Sequence, residues 1–246
     1  MPRYFIEITY CGTNYSGFQS QLNANTIQAE VEKAFKVLFR KEFLFTGSSR
    51  TDAGVHARQN YFHVDTDMNF TGKHIYNLNA ILPPAIAVKS IKTVNADVHC
   101  RFSATSRVYK YYICQQKNPL LQDKSWYYPF KVNIPLLTQS ADILKSYTDF
   151  TSFSKRNTQV KTFTCNIFIS QWSIEDSCLV YTVQANRFLR GMVRGMVATM
   201  LKVGRESITQ EEFIAVIESK DCTKADFSAG AAGLFLEQVI FPDHIF

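Results

Sequence analysis

Arg50, Thr51, Asp52, Ala53 and Gly54 place one carboxylate between a guanidinium two residues earlier and a glycine two residues later. They belong to the run GSSRTDAGVHA at residues 47–57, which is flanked by apolar, strand-like segments at 42–46 and 59–66. Loops carried on strands are where reactive side chains are commonly displayed. Gly47 and Gly54 break any helical reading around Asp52. A carboxylate beside a guanidinium is favoured in its charged form, which suits a nucleophile or a charge stabiliser. On these residues alone a plain turn competes with that chemistry, with Asp52 bonding its own backbone and Gly54 supplying a positive φ.

Other candidates are less specific. Arg187, Arg190 and Arg194 recur at i, i+3 and i+7 in a helix predicted over 187–203, opposite an apolar face of Leu189, Val193, Met196, Met200 and Leu201. That stripe reads either as a solvated basic face or as contacts to phosphate or to a carboxylate. Residues 103–112, SATSRVYKYY, interleave bases and tyrosines. Strand alternation sends Tyr109 and Tyr111 to one side, either into a half-buried sheet or onto an unpaired base. The five histidines show no metal-ligand spacing, and a structural role is expected for each. The six cysteines form no C-x-x-C pair, so neither zinc nor any other metal is expected and the thiols read as reduced, small core residues. Phosphate-loop, dinucleotide and nucleophile-elbow motifs are absent, and no cofactor is expected.

The elements that must carry these residues follow from periodicity. Residues 4–10 alternate as a strand, and Asn25 with Gln28 reads as a capping box opening a helix with Ile27, Val31, Ala34, Phe35 and Leu38 inward. Strands near 42–46 and 59–66, a helix near 71–81 ending at Pro83-Pro84, and a strand over 86–94 complete a β-α-β-β-α-β order. The second half repeats it, with strands at 108–114, 160–172, 178–185 and 234–241 and helices at 133–146 and 187–203. Thr209-x-x-Glu212 caps a shorter helix. The expected fold class is α+β, two ferredoxin-like (split βαβ) halves with antiparallel sheets, spanning 1–103 and 104–246.

Whole-chain properties set bounds. At 246 residues, 46% hydrophobic and 20% charged, the chain can bury a substantial core. Its 27 Lys and Arg against 21 Asp and Glu, net +6, favour a polyanionic partner only weakly. The N-terminus reads directly as a strand and no run reaches membrane-spanning length, so a cytoplasmic protein with no membrane partner is expected.

The longer motifs resemble those of the tRNA pseudouridine synthase A (TruA) family. RTDAGVHA carries the resemblance together with YCGTNYSGFQSQ at 10–21, LNAILP at 78–83, RFSAT at 101–105, DFTSF at 149–153, Ala185-Asn186-x-Phe188-x-x-x-Met192-Val193-Arg194, and GLFL at 233–236. Seven blocks in order span nearly the whole chain. The resemblance implies the pseudouridine synthase fold and isomerisation of uridine to pseudouridine at positions 38, 39 and 40 of the tRNA anticodon arm, without a cofactor, by a homodimer. It implies that Asp52 is catalytic and that Arg194 pairs with it. It also implies that Tyr109 stacks on the target base, Arg50 helps hold the flipped nucleotide, and Leu236 lines an apolar pocket. Phe18 stands where the family has tryptophan, and Ser48-Ser49 where it has Ala-Gly. Two rival readings of the same residues are a non-catalytic RNA-binding protein and a cofactor-free hydrolase using Asp52 as general base.

Overall fold

The computed structural model describes residues 1–156 and 160–246. They form two compact units, Met1–Ser106 with Phe235–Phe246, and Arg107–Leu234. The sequence reading assigns residues 234–241 to the second half, whereas contacts group Phe235–Phe246 with the first unit.

In the first unit the strands are β1 (Arg3–Tyr10), β2 (Thr46–Gly47), β3 (His56–Asp65) and β4 (Ile86–Val94), with helices α1 (Ile27–Phe39) and α2 (Gly72–Ile81). β1 pairs antiparallel with both β3 and β4, and β2 pairs antiparallel with β3. That is the order 4-1-3-2 of a split βαβ unit. Residues 42–45, expected to be strand, stay off the ladder. Phe43 and Phe45 instead pack edge-on against Phe35 of α1, so aromatic burial wins over strand pairing. The N-cap of α1 is Thr26, whose hydroxyl accepts from Ala29 N, while the Asn25 amide donates to the Asn14 carbonyl. Ile27, Val31, Ala34 and Phe35 are buried as the 3.6-residue period requires.

The second unit contains β5 (Ser106–Cys114), β6 (Trp126–Tyr127), α3 (Ile134–Leu144), β7 (Ile167–Glu175), β8 (Cys178–Ala185), α4 (Met192–Gly204) and α5 (Gln210–Glu218). β8 runs antiparallel between β5 and β7, and β6 adds parallel to β5. The first long strand expected at 160–172 is set later, at Ile167–Glu175. The turn to β8 uses Asp176 and Ser177, both at positive φ. Thr209 and Glu212 cap α5 reciprocally, as their spacing predicts.

Two further expectations are corrected. Cys114 and Cys178 face each other across β5 and β8 with Cα atoms 4.8 Å apart and are joined in a disulfide, so these two are not reduced thiols. The helix expected from Arg187 starts only at Met192, after Gly191 at φ +76°. Arg187 and Arg190 therefore lie before the helix, Arg194 sits in its first turn, and the three share no helical stripe. Among the described residues no helix is long and apolar enough to cross a membrane. The last strand, β9 (Leu234–Ile240), pairs parallel with β3 at His56↔Phe235 and Ala57↔Leu236.

Candidate active site

The Asp52 loop lies between β2 and β3, and its backbone is anchored on both sides of the carboxylate. On the N-terminal side Ser48 N–H donates to the Tyr61 carbonyl at 2.8 Å. Asn60, fully buried on β3, then grips Ser49 by both main-chain groups. Its amide donates to the Ser49 carbonyl at 2.8 Å, and its side-chain oxygen accepts from Ser49 N at 3.3 Å. The same amide reaches the Tyr10 hydroxyl at 3.3 Å, and that hydroxyl lies 2.8 Å from Thr51 Oγ1. On the C-terminal side Val55 N–H closes a turn onto the Asp52 carbonyl, and Gly54 N–H donates to the Tyr15 carbonyl, each at 3.2 Å.

The segment 10–18 is the other half of this assembly. Phe18 N–H donates to the Thr51 carbonyl at 3.1 Å. Gly17, at φ +103°, brings its backbone so close that an added Cβ would stand 3.0 Å from that carbonyl oxygen. A Cβ on Gly12 would overlap the carbonyl of Val55. Both glycines are therefore required by close backbone approach. Gly12 N–H also donates to His56 Nδ1 at 3.2 Å, and the His56 ring stacks on Phe235 at 4.5 Å. Phe18, in place of tryptophan, stacks on Phe62 at 4.8 Å. Ser48 and Ser49 are buried, so the departure from Ala-Gly adds hydroxyls inside the fold rather than at the surface.

Asp52 itself is partly exposed and Arg50 exposed. Leu236 is fully buried on β9, opposite Ala57. It backs the strand that leaves the loop.

The remaining candidates belong to the second unit. Tyr109 lies on the buried face of β5 with Tyr111 and Ile113, as strand alternation predicts, and its ring meets Phe188 edge-on at 4.9 Å. Arg194 donates from Nε to the Ala229 carbonyl at 2.6 Å. Tyr111 donates to the next carbonyl, Gly230, at 2.7 Å. Burial raises the Tyr111 phenol well above its ordinary value, and the Arg194 charge opposes that shift. The Ala229 carbonyl therefore helps to orient the Arg194 guanidinium, whose fork is planar by its own bonding.

His56 and His74 make structural contacts. His74 completes the cap of α2 by accepting from Thr71 N at 3.0 Å. His63 is buried on β3, and desolvation, the Arg3 charge and His99 lower its pKa to about 4. Sequence reasoning missed Asn60 as the brace of the loop. Its signal was a strand-disfavoured residue directly before the aromatic pair Tyr61-Phe62.

A family model described as tRNA pseudouridine synthase matches residues 7–103 and 147–242. The chain belongs to that family. Relatives called tRNA pseudouridine synthase A include one from Parabacteroides distasonis, 41% identical with 100% of this chain and 98% of the relative covered. The Bacteroides thetaiotaomicron protein is 42% identical over 100% of this chain and 93% of its own length. The one from Staphylococcus aureus is 33% identical over 98% and 93%. Within the pseudouridine synthase match fall the loop, its brace at 10–18, Arg194 and Leu236, while Tyr109 lies in the unmatched interval.

Proposed function

We propose that this protein isomerises uridine to pseudouridine at positions 38, 39 and 40 of the tRNA anticodon arm, with Asp52 as the catalytic carboxylate. The observation that carries the reading is the rigidly braced Asp52 loop in a chain of the pseudouridine synthase family. The reaction breaks the C1′–N1 bond, rotates the uracil and joins C5 to C1′. The proton lost from C5 balances the one gained at N1, so neither a redox nor an energy-carrying partner is required. A carboxylate at C1′ serves either route, by attack on the sugar carbon or by removal of the 2′ proton.

Tyr109, Arg50, Arg194 and Leu236 are assigned to substrate binding. Taking a paired base out of its stack costs roughly a few kcal/mol, and stacking on one aromatic ring returns about 1–3 kcal/mol. Arg50 and Arg194 supply planar donors for phosphate or carboxylate groups. With tRNA as substrate the enzyme works in the cytoplasm, and we assign it the homodimer implied by its family resemblance, which light scattering on the purified protein tests.

The decisive experiment is Asp52→Asn, which keeps shape and removes charge. Tritium release from tRNA labelled at uridine C5 should fall to background while tRNA binding stays within a few-fold of the parent. Substantial release by the variant rejects Asp52 as the catalyst. Binding without any product by the parent protein supports the RNA-binding alternative instead.

A further inference from the structure

His63 Nδ1 lies 3.2 Å from Cys100 Sγ, in the interior of the first unit. His99 joins them, its ring 4.6 Å from that of His63, and one ligand atom from each of the three residues falls within 4.8 Å of the others. The geometry points to a zinc(II) site formed by His63, His99 and Cys100, with the fourth position open to water. His63 and Cys100 stand 37 residues apart, a spacing with no motif signature, which is why the sequence reading expected no metal.

The donor set is two imidazoles and one thiolate, which suits borderline-soft zinc and rejects magnesium and calcium. Tetrahedral zinc with bonds of about 2.0–2.3 Å needs ligand atoms roughly 3.5 Å apart. The His63–Cys100 pair is already near that spacing, and the widest pair must close by about an ångström. His63 Nδ1 accepts from Cys100 N at 3.4 Å, so it carries a lone pair directed at this segment. His99 Nδ1 accepts from Arg101 N at 3.1 Å and from Phe102 N at 3.4 Å, so coordination through that nitrogen gives up both hydrogen bonds, whereas coordination through Nε2 keeps them. The Cys100 thiol donates to the Thr46 carbonyl at 3.1 Å. Binding converts it to thiolate, forms a zinc–sulfur bond and releases one proton to solvent. The neighbouring Arg3 charge is offset by Asp65, which accepts from its Nε and Nη2 at 2.7 Å each, while Nη1 donates to the Val98 carbonyl at 3.0 Å. The ion would tie the turn at residues 98–103 to β3, which leaves the catalytic loop.

The test uses tag-free, full-length protein. After treatment with chelator and dialysis against zinc(II), elemental analysis should find one zinc per chain. Cobalt(II) in its place should give a thiolate-to-metal charge-transfer band, and magnesium should not compete. Cys100→Ser should remove the band, and Cys100→Ser and His99→Gln should each weaken zinc binding at least about 100-fold, with circular dichroism verifying the fold. Absence of stoichiometric zinc on the parent, or parental affinity in either folded variant, overturns the site.

Discussion

Replacing Asn60 by alanine tests whether the loop, rather than Asp52 alone, is the catalytic unit. Asn60 is fully buried and satisfies both main-chain groups of Ser49, three residues before Asp52. Alanine leaves that N–H and that carbonyl buried without their partner. Each buried group so orphaned costs about 1–3 kcal/mol, and water entering the small void recovers part, so a loss of about 2–4 kcal/mol is expected. A domain with about 5–15 kcal/mol of stability remains folded. The carboxylate then samples positions away from the reacting sugar. A penalty of about 1–2 kcal/mol on the productive loop geometry lowers kcat roughly 5- to 30-fold with little change in KM. Stability should be followed in urea by far-UV circular dichroism, because Trp126 and Trp172 both lie in the second unit and report on the wrong part of the molecule. Tritium release gives kcat. A stability change below about 0.5 kcal/mol together with parental kcat refutes the brace.

Gly12→Ala should be more damaging than a usual surface substitution, because the new Cβ overlaps the Val55 carbonyl; a Tm within a degree or two of the parent contradicts the close approach. Arg194→Lys removes the Nε donor to Ala229 and the planar fork, and turnover should fall at least about tenfold while urea stability changes by about 1 kcal/mol or less, both measured on one preparation. Asp149 has its pKa lowered by the Thr151 hydroxyl and backbone N–H and by Lys220, so it contributes stability above the unfolded carboxylate pKa of about 3.9. That contribution is lost as pH falls through the lower folded value. Acid titration of Asp149→Asn should show a deficit at neutral pH that vanishes in strong acid, and a deficit independent of pH rejects the assignment.

Much of the framework was legible because local signals and tertiary demands agree there. The bounds of β8, 178–185, are those its strand pattern predicts, and α5 follows from its reciprocal cap. Where they diverge, long-range packing decides. Residues 42–45 have strand-like composition, but Phe43 and Phe45 gain more by packing on Phe35 than by extending a ladder. The periodicity at 187–203 suggests one helix, yet Gly191 at positive φ sets the start at Met192, so counting arginines by helical spacing misplaced two of three. The Cys114–Cys178 disulfide depends on β5–β8 register, and the His63–His99–Cys100 cluster on a chain return after β4. Neither has a local signature.

The candidate site has the same division. Asp52 stands out by type and neighbours, whereas what fixes it is spread over three segments. The RTDAGVHA run alone reads as an ordinary turn, because the bond from Val55 N–H to the Asp52 carbonyl is one that any turn makes. Its rigidity comes from Tyr10, Tyr15 and Phe18 on one side and Asn60 on the other. The glycines of the 10–18 segment then have a reason beyond local flexibility. Gly12 and Gly17 lack side chains because the backbone of the Asp52 loop occupies that space. Two motifs far apart in sequence are thus one physical object, a carboxylate and its mould. Pre-organisation of this kind keeps a charged group in reacting geometry before substrate arrives, so binding energy from the tRNA is left for extruding the base rather than for ordering the enzyme.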